Sequence, residues 1–362
     1  MKAPSQLYLE GHSGNYALMR IKADSTVNLA LDSRLERETQ WTNKSSTISQ
    51  CEEIFQENLT SDRFFIPTAE NSYSLESCRR DQIHKAKIAT KETINQQVLE
   101  LWNLKVQELT MQGDFTQLLI EEQQSVTWQS MIRGMPRGVM AFALRLSTNS
   151  LPSPDNLKRW GKRRIAKCPL CSNTGTLEHI INFCSVALNQ GRYTWRHDSV
   201  LNHIYNSLTE QKPDNLEIFV DLPDLNFNGS TIPPDILTTT QKPDIVILNR
   251  AEKKIFLLEL TCSLEQNSNS ANAYKTTKYT PLKSDLEAQG LSVSLVPFEI
   301  GSRGHVSNEN KMRLITVFVK NGLKQNVHKL VKQISKISLL CTFSIFHAFQ
   351  QPTWRDPPFL KP

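Results

Sequence analysis

Two acids in the stretch from Lys242 to Tyr279, KPDIVILNRAEKKIFLLELTCSLEQNSNSANAYKTTKY, are spaced to share a cation. Asp244 to Asn249 predicts a strand, Arg250 to Lys253 a polar turn, Lys254 to Cys262 a second strand, and a helix follows. Ile245, Val246, Ile247 and Leu248, then Ile255, Phe256, Leu257 and Leu258, are apolar on both faces, as in the buried middle of a sheet. A hairpin symmetric about Ala251 and Glu252 opposes residues whose numbers sum to 503, which sets Asp244 across from Glu259. Their side chains then lie on one face, roughly 5 Å apart. Two carboxylates so close repel each other unless a cation lies between them, and their hard oxygen donors suit Mg²⁺ or Mn²⁺. A register slip of one residue would separate the pair, and a bulged hairpin would leave both acids solvated at the rim.

A second constellation has different chemistry. Cys168, Cys171, His179 and Cys184 form a C-x2-C-x7-H-x4-C spacing. A tetrahedral Zn²⁺ takes two ligands from a tight turn, which Cys-x-x-Cys supplies, and two from a following element. His179 and Cys184 approach each other if Leu177 to Phe183 is helical. Four ligands with no position to spare indicate a closed, structural site. Directly upstream runs a basic segment, Lys158, Arg159, Lys162, Arg163, Arg164 and Lys167, with Trp160 inside it. A charge run is often only a solvated face, but its place beside a metal cluster points to phosphate contact.

These residues must be positioned by a chain of 362 residues, long enough for two or three domains. A net charge of +6 permits nucleic-acid binding without establishing it. No apolar run approaches the ~20 residues that span a bilayer, and the start MKAPSQLYLEGHSG has no signal-peptide core, so no membrane partner is expected. Seven cysteines, three of them in the metal cluster, suit a reducing compartment rather than a disulfide framework.

Residues 1–80 read as a polar, partly mobile leader, with a short helix expected around Leu29 to Trp41. Residues 81–165 read as a helical linker with a basic end. Val98, Leu101, Trp102, Val106 and Leu109 share one helix face, Leu118 to Ile132 predicts a second helix, and Val139 to Leu146 a third. The zinc knuckle occupies 166–188, and a helix from Tyr193 through Leu208 follows. Residues 209 to 240 are loop-rich. Thr280-Pro281 carries an N-cap and N1 signature that predicts a fresh helix to Gln289, with a strand over Ser292 to Glu299. Two helices are expected between Asn308 and Phe349, and the Pro-rich end QQPTWRDPPFLKP reads as a tail. The expected class is α/β (α+β), a helical linker and knuckle followed by a sheet flanked by helices, with the sheet domain over 189–305 and C-terminal helices and tail over 306–362.

Taken together, the basic run, the knuckle, the triplet Arg196-His197-Asp198, and Pro-Asp-x14-Glu followed by Lys-x-x-Lys-Tyr resemble the C-terminal third of one retrotransposon class. It is the class of site-specific non-LTR elements that carry a restriction-enzyme-like endonuclease after the reverse transcriptase. The resemblance covers roughly residues 90 to 349 and is strongest at the knuckle and over 242 to 283. It implies a PD-(D/E)xK-type nuclease that nicks target DNA, the freed 3′-hydroxyl priming reverse transcription of element RNA. By the same resemblance Asp244 and Glu259 match the metal-binding acids, Lys275 and Lys278 the downstream catalytic lysines, and Arg196-His197-Asp198 an element of the nuclease domain whose role the resemblance leaves open; Arg196 and His197 are expected to join the basic run as nucleic-acid contacts. The implied partners are target DNA and element RNA, the implied compartment is the nucleus, and the implied cofactors are structural Zn²⁺ and catalytic Mg²⁺ or Mn²⁺. Where the superfamily has x-Lys after the second acid, this chain reads Leu260-Thr261, so the lysine has to come from the adjacent helix. A polymerase palm is absent and no Asp-Asp dipeptide occurs, so no polymerase activity is expected from this chain alone. A catalytically inactive, zinc-knuckle nucleic-acid-binding remnant of such an element is the alternative.

Overall fold

The computed structural model describes residue 96 and residues 98–101, 103–109, 111–210, 212–223, 225, 229–265 and 268–360. The polar leader over 1–80 with its expected helix, and Trp102 in the first linker helix, lie outside the described residues. Val106–Pro362 form one compact unit, distinct from Met1–Lys105.

Residues 98–101 and 103–108 are helical, with Val98 and Leu101 exposed. Three further linker helices follow, α1 (Asp114–Glu121), α2 (Ser125–Arg133) and α3 (Arg137–Ser147), so the stretch Leu118 to Ile132, expected as one helix, forms parts of two. Pro136, fixed in an extended conformation, separates α2 from α3. Their apolar faces do not close on themselves. Phe115, Leu119, Trp128, Ile132, Phe142 and Leu146 share a core with Leu177, Ile180 and Ile181 of the knuckle and with Phe346. The short α4 (Pro154–Arg159) has Ser153 as N-cap, its hydroxyl accepting from the Asn156 N–H, and Pro at the first turn. A π turn (His179–Phe183), α5 (Ser185–Asn189) and α6 (Arg192–Thr209) complete the N-terminal half of the unit.

The sheet has the order β1 (Glu217–Val220), β2 (Ile245–Asn249), β3 (Lys254–Ser263), β4 (Ser292–Gly301). β1–β2 and β2–β3 are antiparallel, and β3–β4 is parallel through the crossover helix α7 (Ser268–Ala288). The α+β layout is the expected one. The strand β1 falls in the passage read as loop-rich, because only four residues separate its flanking Pro- and Asp-rich turns.

The two faces of the sheet bury different helices. Ile245, Ile247, Phe256, Leu258, Leu260, Phe298 and Ile300 pack with α6 and with the C-terminal helices α8 (Asn308–Lys320) and α9 (Val327–His347). Val246, Leu248, Ile255, Leu257 and Val293 pack against Tyr279, Leu282 and Leu286 of α7. Alternation along a strand then places Asp244 and Glu259 on the α7 face.

Pro281 does not start a new helix. It lies inside the continuous α7. An interior proline costs about 3 kcal/mol, whereas burying a large apolar side chain contributes roughly 1.5–3 kcal/mol. Tyr279, Leu282 and Leu286, all buried on the sheet, outweigh the lost hydrogen bond. The C-terminal segment is likewise more than a tail. It crosses the start of α6, where the Trp195 indole N–H donates to Pro357 O (2.7 Å) and Arg192 donates to Ala348 O and Gln351 O, 2.7 Å each.

Candidate metal centre and carboxylate site

The knuckle is a turn built around its cysteines. The Cys168 N–H donates to Asn173 O (2.7 Å), the Ser172 N–H to Cys168 O (3.0 Å), and Ser172 takes a left-handed conformation at φ 62°. Gly175 is required by a close approach, since a Cβ there would meet Pro154 Cγ at 2.8 Å. A π turn closes i→i+5, which is the separation of His179 and Cys184, so this rarer geometry returns both ligands to one point.

The ligand atoms of Cys168, Cys171, His179 and Cys184 all lie within 4.8 Å of one another. Cys168 Sγ and Cys184 Sγ are 3.9 Å apart, and Cys171 Sγ is 3.1 Å from His179 Nε2. Sulfurs on one tetrahedral zinc at ~2.3 Å bonds stand about 3.8 Å apart, so the cluster fits that ion. Burial, with the charges of Cys168 and Cys171 adding to it, pushes the Cys184 thiol up to about 11, and burial lowers the His179 pKa. Three sulfurs this close ionise together only with a cation among them, so zinc loading releases protons.

The carboxylate site follows from strand register. Ile245 opposes Leu258 and Asn249 opposes Lys254, pairs that sum to 503, and one further step places Asp244 across from Glu259. The contact is direct: the Asp244 N–H donates to Glu259 Oε1 (3.1 Å), and the Leu260 N–H donates to Asp244 Oδ2 (2.7 Å). Glu259 is 0% exposed and Asp244 8%.

Helix α7 supplies the cation that β3 lacks. Lys275, Tyr279, Leu282 and Leu286 share one helical face toward the sheet. Lys275 Nζ donates to Glu259 Oε2 at 2.7 Å and lies 3.8 Å from Asp244 Oδ2. Lys278 goes elsewhere. Its ammonium donates to the Tyr279 hydroxyl (2.8 Å) and sits 4.4 Å from that ring's centroid. The Tyr279 hydroxyl in turn donates to Lys242 O at 2.8 Å.

From the opposite side α6 brings His197, partly exposed, with Nε2 3.4 Å from Asp244 Oδ2 and Nδ1 2.9 Å from Asp198 Oδ1. Burial alone would lower the His197 pKa, but the Asp244 and Asp198 carboxylates raise it to about 10. Burial would raise that of Asp244, yet the charges of His197 and Lys275 hold it below the usual range. Glu259 has the opposite fate: burial, then the Asp244 charge, push it up to about 7 despite Lys275. One carboxylate is thus charged and its neighbour resists charging, a strain that a divalent cation with oxygen preference would relieve.

Arg196 requires a correction. Read as a nucleic-acid contact, it is 1% exposed and bonded entirely inward. It donates to Ile181 O (3.0 Å), Asn182 Oδ1 (2.6 Å), Thr342 Oγ1 (3.1 Å) and Cys262 O (3.2 Å), tying the π turn to α9 and the end of β3. A basic residue inside an amphipathic helix is indistinguishable in sequence from a surface one. His197, read the same way, faces Asp244. Asp198 and Tyr279, which sequence spacing does not single out, are joined to this centre by their contacts. Lys158, Arg159, Lys162, Arg163, Arg164 and Lys167 are all exposed, as a phosphate-binding strip needs.

Among the described residues no helix is long and apolar enough to cross a membrane. No curated protein matches the chain. Residues 114–190 match the family model described as zinc-binding in reverse transcriptase, so the segment that carries all four zinc ligands is similar to the zinc-binding region of reverse transcriptase proteins.

Proposed function

We propose that this chain is the metal-dependent DNA-nicking part of a non-LTR retrotransposon protein, acting in the nucleus on target DNA, with element RNA as a second partner. The observation that carries the reading is the meeting of Asp244, Glu259 and Lys275 from two strands and a crossover helix. The match of the zinc segment to reverse transcriptase proteins supports the retroelement context.

In this reading Asp244 and Glu259, with the Leu260 carbonyl, would hold Mg²⁺ or Mn²⁺. The bound ion would polarise the phosphoryl oxygen and lower the pKa of the attacking water. In such a hydrolysis the water oxygen would bond to phosphorus and give a proton to solvent while the P–O3′ bond breaks and O3′ takes a proton from solvent, leaving a 5′-phosphate and a 3′-hydroxyl. Lys275, kept protonated by Asp244 and Glu259 against the effect of burial, orients the water or offsets charge on the phosphorane. His197 is a positioning residue, holding Asp244 Oδ2 from the side opposite Lys275.

Glu259 gives the reading a pH signature. Its pKa is raised to about 7, so below that pH it is neutral and a poor metal ligand. Mg²⁺-dependent nicking of plasmid DNA is therefore expected to rise as pH increases through about 7. More Mg²⁺ should move the midpoint to lower pH, because metal and proton compete for the same carboxylate. A rate that is flat from pH 5 to 8, or falls, would contradict this.

One feature of the geometry favours the second reading, an inactive nucleic-acid-binding remnant. Both Glu259 oxygens and Asp244 Oδ2 already accept hydrogen bonds from the protein's own donors, which a metal has to displace in part. That reading predicts nucleic-acid binding with no turnover.

A further inference from the structure

We infer that the turn at Trp160 is a preformed binding platform for unpaired nucleic acid, on which a base stacks while the flanking lysines and arginines take its phosphates. The inference deepens the phosphate-binding role of the basic strip and rests on that reading.

Four backbone hydrogen bonds fold the turn back on the C-terminus of α4. The Trp160 N–H donates to Asn156 O (2.9 Å), Gly161 to Lys158 O (3.0 Å), Lys162 to Leu157 O (2.8 Å) and Arg163 to Leu157 O (3.2 Å). Gly161 makes this possible at φ 70°. The helix beneath is anchored at its N-terminal end. Buried Asn156 donates to Leu151 O and Asn149 O, 2.8 Å each, and the Asp155 N–H donates to Gly175 O of the knuckle at 3.1 Å.

A rigid mount of this kind holds an indole that contributes little to the fold. Trp160 is 41% exposed and belongs to none of the hydrophobic cores, and Ile165, five residues on, is 57% exposed. Lys162 Nζ lies 6.0 Å from the Trp160 ring centroid. Of the six cations, Arg159 pairs with an acid, Asp155 at 2.7 Å. Exposed aromatics interleaved with cations are the recognition chemistry of single strands, since every unpaired base offers a flat face and paired bases hide theirs. A platform that is already ordered loses little entropy on binding. Stacking and phosphate contact do not involve the 2′-hydroxyl, so single-stranded DNA and RNA should bind alike.

The test uses the full chain with zinc retained and no Mg²⁺, so that nothing is cut. Fluorescence anisotropy compares oligo-dT and oligo-U of about 12 nucleotides, the span of such sites, with a blunt hairpin duplex. Trp160→Ala is expected to weaken both single strands by about 5- to 100-fold and the duplex hardly at all. Trp160→Phe, which keeps a stacking face, should restore most of the loss. Joint neutralisation of Lys162, Arg163 and Arg164 should weaken all three ligands and flatten the salt slope by up to about 3 contacts. Equal losses on duplex and single strand with Trp160→Ala, or no loss on either, would overturn the platform while the phosphate-binding strip stands. If neutralising the three cations also changes nothing, the strip reading fails with it. Binding of one sugar type alone would overturn the stacking argument.

Discussion

Replacing Lys275 with Ala is expected to lower Mg²⁺-dependent nicking by about 10²-fold, the scale of losing one charge-stabilising group in a buried centre. Lys275 is the cation that touches both carboxylates, at 2.7 and 3.8 Å, and its side chain is mostly buried between them. Lys278→Ala should leave the rate nearly unchanged, because that ammonium is spent on the Tyr279 hydroxyl and ring. DNA affinity should barely move in either variant, since one contact among many is lost. The pair of variants separates chemistry from binding. Equal, small effects of both substitutions would mean that the lysine carried by α7 does not replace the one missing at Thr261.

The second large effect concerns zinc. Cys171→Ser is expected to abolish binding of the single structural Zn²⁺, and with it the fold of the knuckle, since structural zinc contributes roughly 10–16 kcal/mol in small domains. The damage should spread. Leu177, Ile180 and Ile181 are shared with the core of α1–α3, and the π turn is bonded through Arg196 to β3. Native mass spectrometry should show one zinc in the parent protein and none in the variant, and limited proteolysis should then cut within 106–190. A variant that loses its zinc yet resists protease and melts with the parent would show that the four residues do not support the fold.

The hairpin was legible because its information is local. A polar turn between two strands without interior breaks leaves one symmetric register, and the observed pairs of β2 and β3 obey it. The knuckle was legible for a similar reason, as ligand type and spacing restrict it more tightly than propensity does. What escaped depends on contacts made far along the chain. Pro281 has a local preference to start a helix, and packing of Tyr279, Leu282 and Leu286 on the sheet overrides it. Arg196 looks like a surface cation until the acceptors of the π turn, α9 and β3 close around it. The choice between Lys275 and Lys278 was equally non-local, because the path from β3 sets the phase of α7, and sequence spacing alone leaves the two equivalent.

In the proposed function Asp244 and Glu259 hold a metal that cuts DNA. The most direct test is nicking of supercoiled plasmid by the purified chain, with and without Mg²⁺, beside Asp244→Asn. The account predicts open-circular product from the parent protein with Mg²⁺ alone, and none from Asp244→Asn, which keeps its zinc and its DNA affinity. Nicking that persists without a divalent metal, or that Asp244→Asn retains in full, would contradict it.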